Sequence, residues 1–206
     1  MTDAANLRVI DPLPIDVSRP LVLLRLGYRS AGQVPAKTAR LLDEVIERAR
    51  PLLAPRAVCA AFDVDRPGEG RIVIGGALES RSRSLEERLL DCRQAVLFAA
   101  TIGPALEEWV QELLAAGEMT RSLLADAYAS SAAIALGVSF ETVSSETFQD
   151  MGLQPTKRYA PGYGDWELSS QTALLSLVDA GRIGIRLTGD FLMIPAKSIS
   201  GVIGGR

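Results

Sequence analysis

Apolar residues change their spacing from one segment of this chain to the next, and each spacing predicts an element. After Pro35, Leu41, Leu42, Val45, Ile46 and Ala49 recur at three- and four-residue steps, with Lys37, Arg40, Asp43, Glu44, Glu47 and Arg48 between them. That is the pattern of an amphipathic helix, and Pro51 or Pro55 should end it. Residues 57–64 and 71–74 read as strands, which the turn formers of 65–70 join into an antiparallel hairpin. Ser84, with Glu87 three residues on, predicts a capping box launching a helix with Leu85 and Leu89 on its apolar side. The unbroken apolar run 95–102 suits a strand buried on both faces. Gly103 and Pro104 then end that strand and begin a helix with Leu106, Trp109, Val110, Leu113 and Leu114 facing inward.

The next helix, about 120–144, is alanine-rich. Leu123, Leu124, Ala127, Ile134, Ala135 and Val138 make it almost apolar around its middle, which predicts a central place in the fold. Small residues at Ala125, Ala129, Ser130, Ala132 and Ala133 let other backbones pack close, and the lone Asp126 needs solvent or a partner. Residues 166–181 predict one more helix, stopped at Gly181, and 183–188 with 191–194 predict a short hairpin around Gly189 and Asp190. At the other end, Pro12, Pro14 and Pro20 make 1–20 an extended arm lying on a single domain that spans 21–206. Residues 20–28 are either a strand or a buried helical turn, with Gly27 as a C-cap before a packed Tyr28. The tail 195–205 is either a surface loop or a ligand contact that offers Ser198 and Ser200 as donors.

Composition then removes whole classes of chemistry. A length of 206 residues with 48% hydrophobic content suits one domain with a substantial core. Charges of both signs are interspersed around a formal net charge of −3, so no nucleic-acid stripe or polybasic membrane patch is present and neither partner is expected. The sequence has no histidine, which excludes His-ligated zinc and Ser-His-Asp hydrolysis. Cys59 and Cys92 are too few for a disulfide framework and read as small buried hydrophobes. The polar start lacks the apolar run of a signal peptide, and no apolar stretch free of charge reaches membrane-spanning length, so the expected location is the cytoplasm. The glycine-rich stretches at 75–76 and 201–205 lack the Gly-x-Gly-x-x-Gly spacing of a dinucleotide-binding turn, which argues against a Rossmann-type methyltransferase.

Residues 157–164, Lys-Arg-Tyr-Ala-Pro-Gly-Tyr-Gly, gather two cations, two phenols, a proline and two glycines. Pro161 restricts the backbone, while Gly162 and Gly164 can take angles closed to other residues. Arg158 can offer a planar fork to a carboxylate, and Tyr159 and Tyr163 can offer ring faces and hydroxyls to a cationic or aromatic ligand. An ordinary Pro-Gly turn before a helix has the same composition.

Arg158, Gly162 and Tyr163 in the order Arg-x-x-x-Gly-Tyr, followed by Gln171 and by 193–201, Met-Ile-Pro-Ala-Lys-Ser-Ile-Ser-Gly, resemble the activation (reactivation) domain of cobalamin-dependent methionine synthase. Residues 82–92 and 97–103 fit the same family, so the likeness runs from roughly 21 to the C-terminus. The resemblance implies an α+β fold, a mixed and mainly antiparallel twisted sheet with surrounding helices. It also implies an S-adenosylmethionine site at Arg158, Ala160, Gly162 and Tyr163. Ser198 is a further candidate, as is Asp126, which could balance Arg158 or the ligand's positive charge if it faces the loop.

The activity implied is reductive methylation of cob(II)alamin, with an electron from a flavodoxin- or ferredoxin-like reductant and a methyl group from S-adenosylmethionine. No side chain need act as acid or base, in agreement with the missing histidine. A chain of this length would be too short for homocysteine, folate and cobalamin modules. The resemblance therefore implies a standalone form that works in trans on a partner supplying cobalamin, either a methionine synthase lacking its own activation domain or another corrinoid methyltransferase. After Tyr163, residues 164–167, Gly-Asp-Trp-Glu, replace a segment that carries proline, cysteine and histidine in the fused form. That departure bears on the corrin-facing contacts. The alternative from another class is an S-adenosylmethionine-binding sensor or scaffold of the same fold with no methyl transfer.

Overall fold

The apolar runs around residues 60 and 98 become the central strands of an antiparallel sheet in the computed structural model, which describes residues 7–150 and 152–206. In chain order the strands are β1 (Arg8–Ile10), β2 (Arg56–Gly68), β3 (Arg71–Ile74), β4 (Leu78–Ser80), β5 (Gln94–Thr101) and, after a separate ribbon of β6 (Arg186–Leu187) and β7 (Met193–Ile194), β8 (Ser198–Gly205). The sheet order is β4-β3-β2-β5-β8, with β1 beside the start of β2, and every named pair is antiparallel. The helices are α1 (Arg19–Arg25), α2 (Ala36–Ala49), α3 (Arg83–Arg88), α4 (Ala105–Ala115), α5 (Met119–Asp150) and α6 (Gln171–Leu177). The α+β expectation holds.

Because strand side chains alternate, β5 serves two cores. Val96, Phe98 and Ala100 join α1, α2, α4 and α5 on one face; Ala95, Leu97 and Ala99 join α3, α6 and Trp166 on the other. The long α5 is apolar enough to cross a bilayer by composition, but most of that stretch is buried against the sheet and α1, α2 and α4. Its outward positions Leu123, Ile134 and Val138 are exposed, as is Leu114 of α4, which the pattern had facing inward.

Several expectations change. Residues 20–25 are helical, and Gly27 (φ +86°) turns the chain after α1 while Tyr28 packs on the first core. The N-terminal arm gives β1 to the sheet and buries Leu13 completely. The cap of α3 is Ser82, whose hydroxyl accepts from Leu85 N at 3.0 Å, so Ser84 lies inside the helix. The helix expected over 166–181 is cut to α6 by Asp179 in the left-handed region (φ 49°), with 3₁₀ turns on either side. The largest change is the tail, which is neither surface loop nor fraying end but the almost wholly buried strand β8.

Candidate functional site

After α5 the chain returns along the open edge of β8 as a strap. Tyr159 and Val202 exchange backbone hydrogen bonds of 3.0 and 2.8 Å, Thr156 N donates to Gly204 O at 2.8 Å, and Gln154 and Arg206 exchange bonds of 2.7 and 3.0 Å. The strap comes this close because Gly201 has no side chain. A Cβ there would stand 2.6 Å from the Tyr159 carbonyl oxygen and 3.0 Å from the Phe98 ring. Extended backbone sends neighbouring side chains to opposite faces, so Arg158 goes toward α5 and Tyr159 toward α3 and Trp166.

On the α5 side, the Arg158 Nε donates to Glu141 Oε1 at 3.3 Å, and its guanidinium lies on Gly137, one helical turn earlier. A Cβ at Gly137 would be 2.6 Å from Cζ, 2.7 Å from Nη2 and closer still to Nη1. Glycine within a helix costs about 1 kcal/mol relative to alanine, and Gly137 is the only one inside an α-helix among the described residues. Arg158 opens onto a groove of about 350 Å³ lined by Glu141, Ser144, Ser145, Thr156 and Lys157. The exposed Ile134 and Val138 flank Gly137 on the same helix.

The Tyr159 side is a packed knot. Its ring stacks on Trp166 with centroids 5.7 Å apart and planes 13° apart, and the Arg88 Cζ lies 5.4 Å from the ring centroid. Its hydroxyl donates to Tyr163 O at 2.7 Å. Gly162 (φ +89°) donates its amide to Trp166 O at 2.7 Å, Trp166 N donates to Tyr163 O at 3.0 Å, and the Ala160 carbonyl accepts from Tyr163 N at 3.3 Å. The Asp165 carboxylate accepts from the Ser82 hydroxyl (2.6 Å), Arg83 N (2.8 Å) and Ser84 N (3.0 Å), which ties the knot to the start of α3. Hydrogen bonds from Ser82 and Ser84 hold the Asp165 carboxyl far below the usual carboxylate range.

The residues picked from the sequence thus separate. Ala160 and Gly162 shape the turn, and Tyr163 stands 66% exposed at its tip. Asp126 pairs with Lys197 Nζ at 2.9 Å rather than with Arg158. It lies eleven residues from Gly137, or roughly 16 Å along the helix axis. Ser198 starts β8 opposite Thr101 on the face away from α5, buried, with no hydrogen-bond partner for its Oγ among the described residues. Ser200 on the same face donates to Gln171 Oε1 at 3.0 Å. Burial pushes the Cys59 thiol up to about 11 and raises Cys92 as well, so both are inert packing groups.

Gly137 and Glu141 are the members that the sequence reading passed over. A lone glycine amid an alanine-rich helix was the available sign for the first; Glu141 carried none. Together the α5 side offers a guanidinium fork, a carboxylate beside it and an exposed apolar strip. That set matches a zwitterion with an apolar body.

The family model described as vitamin B12 dependent methionine synthase, activation domain, matches residues 87–206. A solved structure, described as the crystal structure of the MetH reactivation domain bound to AdoHcy, is similar at a TM-score of 0.67 and 15% identity, covering 98% of this chain and 79% of that one. No curated protein matches the chain.

Proposed function

Because the chain belongs to the family of vitamin B12 dependent methionine synthase activation domains, we propose that it binds S-adenosylmethionine and acts in trans to reactivate a corrinoid methyltransferase by reductive methylation of cob(II)alamin. The observation that carries this reading is Arg158, the arginine of the Arg-x-x-x-Gly-Tyr run, laid on α5 beside a groove and next to Glu141. The similar reactivation domain holds AdoHcy, which is what S-adenosylmethionine becomes after losing its methyl group.

The ligand carries a carboxylate, an ammonium, a sulfonium and an adenine. Arg158 takes the carboxylate through its outer nitrogens, and Glu141 takes the ammonium. Tyr163, exposed at the tip of the turn, gives a ring face to the adenine or the sulfonium. The partner's corrinoid, reduced by one electron from a flavodoxin- or ferredoxin-like reductant, would be the acceptor of the sulfonium methyl, and S-adenosylhomocysteine would be the product left on this chain. The protein's part is to fix the sulfonium in place, which needs no acid or base. The partner expected is a methionine synthase lacking its own activation domain.

Isothermal titration with S-adenosylmethionine tests the binding step. Wild type should bind, and Arg158→Ala should weaken binding by about 2 to 5 kcal/mol, as truncating one member of a desolvated charge pair does. Mixing the protein with a cob(II)alamin-loaded partner, reductant and S-adenosylmethionine should then give methylcobalamin by absorbance. Binding without methylation would leave a sensor or scaffold of this fold.

A further inference from the structure

We infer that Gly137 is the positioning residue for Arg158: its missing side chain lets the guanidinium lie on α5 with Nη1 and Nη2 turned to the carboxylate of an amino-acid ligand. The inference rests on the reading of Arg158 as the carboxylate anchor for S-adenosylmethionine. Three observations bear on it. Gly137 needs no special backbone, since it sits mid-helix without a positive φ. The three atoms nearest to a Cβ built there all belong to the Arg158 guanidinium, so that guanidinium is what a side chain would meet first. Glu141 lies one turn further along the same helix face and takes Nε, which fixes the rotation of the plane that Gly137 supports.

Any side chain at 137 lifts that plane off the helix and draws Nε away from Glu141. The displaced atoms are the free end of a flexible side chain, so the chain still folds. Alanine also suits a helix interior better than glycine, and the variant is expected to be at least as stable as wild type. Loss of ligand affinity without loss of stability separates positioning from packing.

The test combines titration, thermal unfolding and the ¹⁵Nε–¹Hε resonance of Arg158 for wild type, Gly137→Ala, Arg158→Ala and the double variant. Gly137→Ala should bind S-adenosylmethionine at least tenfold more weakly, melt no lower than wild type and shift the Arg158 resonance. The double variant should bind no more weakly than Arg158→Ala alone, because both changes remove the same contact. Wild-type affinity in Gly137→Ala, or losses that multiply in the double variant, would overturn the inference. If wild type gives no binding heat, the S-adenosylmethionine reading fails; the seat is then judged by the resonance, and an unmoved resonance in Gly137→Ala overturns it.

Discussion

Arg158 and Tyr159 are adjacent in the chain yet belong to two different kinds of surface. Tyr159 enters a closed arrangement in which ring stacking, backbone hydrogen bonds and the Asp165 carboxylate bind turn 160–166 to α3. Arg158 meets one carboxylate and a bare stretch of helix beside an open groove. The pleat at the sheet edge makes this division. It sends the Tyr159 side chain into the packing that shapes the turn and leaves the Arg158 side chain at the groove. Motif spacing alone groups Arg158 with Tyr163, whereas the edge pairing puts their surroundings on different elements.

The two sides should respond differently to truncation. The largest effect is expected from Trp166→Ala, which empties the stacking partner of Tyr159 at a site 1% exposed; a loss of about 3 to 5 kcal/mol in denaturant unfolding is expected. An intact stability would mean that the knot is not what fixes the turn. Gly201→Ala comes next, at about 1 to 3 kcal/mol, because its Cβ meets the Tyr159 carbonyl oxygen, a backbone atom that cannot swing aside. Differential scanning should show this drop beside an unchanged or higher melting temperature for Gly137→Ala.

Asp165 adds a smaller, pH-dependent contribution. Its carboxyl titrates lower in the folded chain than the ordinary value of about 3.9, so its stabilisation is present above that value and is lost as pH falls through the folded one. Asp165→Asn should therefore flatten part of the acid limb of the stability profile while costing most at neutral pH. The smallest effect belongs to Arg158→Ala in the absence of ligand. Its pair with Glu141 is 30% and 41% exposed, and chemical denaturation should register a loss of no more than about 1 kcal/mol. A larger loss would make Arg158 a structural member like its neighbour.

Helices α2, α4 and α5 and the β2–β3 hairpin were legible because their apolar spacing is dictated by the core they face. β8 was not, since Gly201, Gly204 and Gly205 carry no side chain to announce a strand. The glycines are there because Phe98, the Cys92 and Leu89 side chains, and Phe148 with Leu153 fill the space a Cβ would need. The cap of α3 was misplaced because its partner carboxylate comes from Asp165, far along the chain. Arg158 and the Gly162-Tyr163 pair could be picked out from residue order, but the directions of their side chains depend on the pairing of the strap with β8. Asp126 was open to either solvent or a partner, and the loop containing Lys197 supplied the partner.

The strap also has a protective consequence. β8 is apolar and glycine-rich, and without residues 154–159 its outer row of amides and carbonyls would be a ready template for polymerisation with other copies. Pro155, which has no amide hydrogen, occupies one of the strap's outward positions and blunts the new rim in turn.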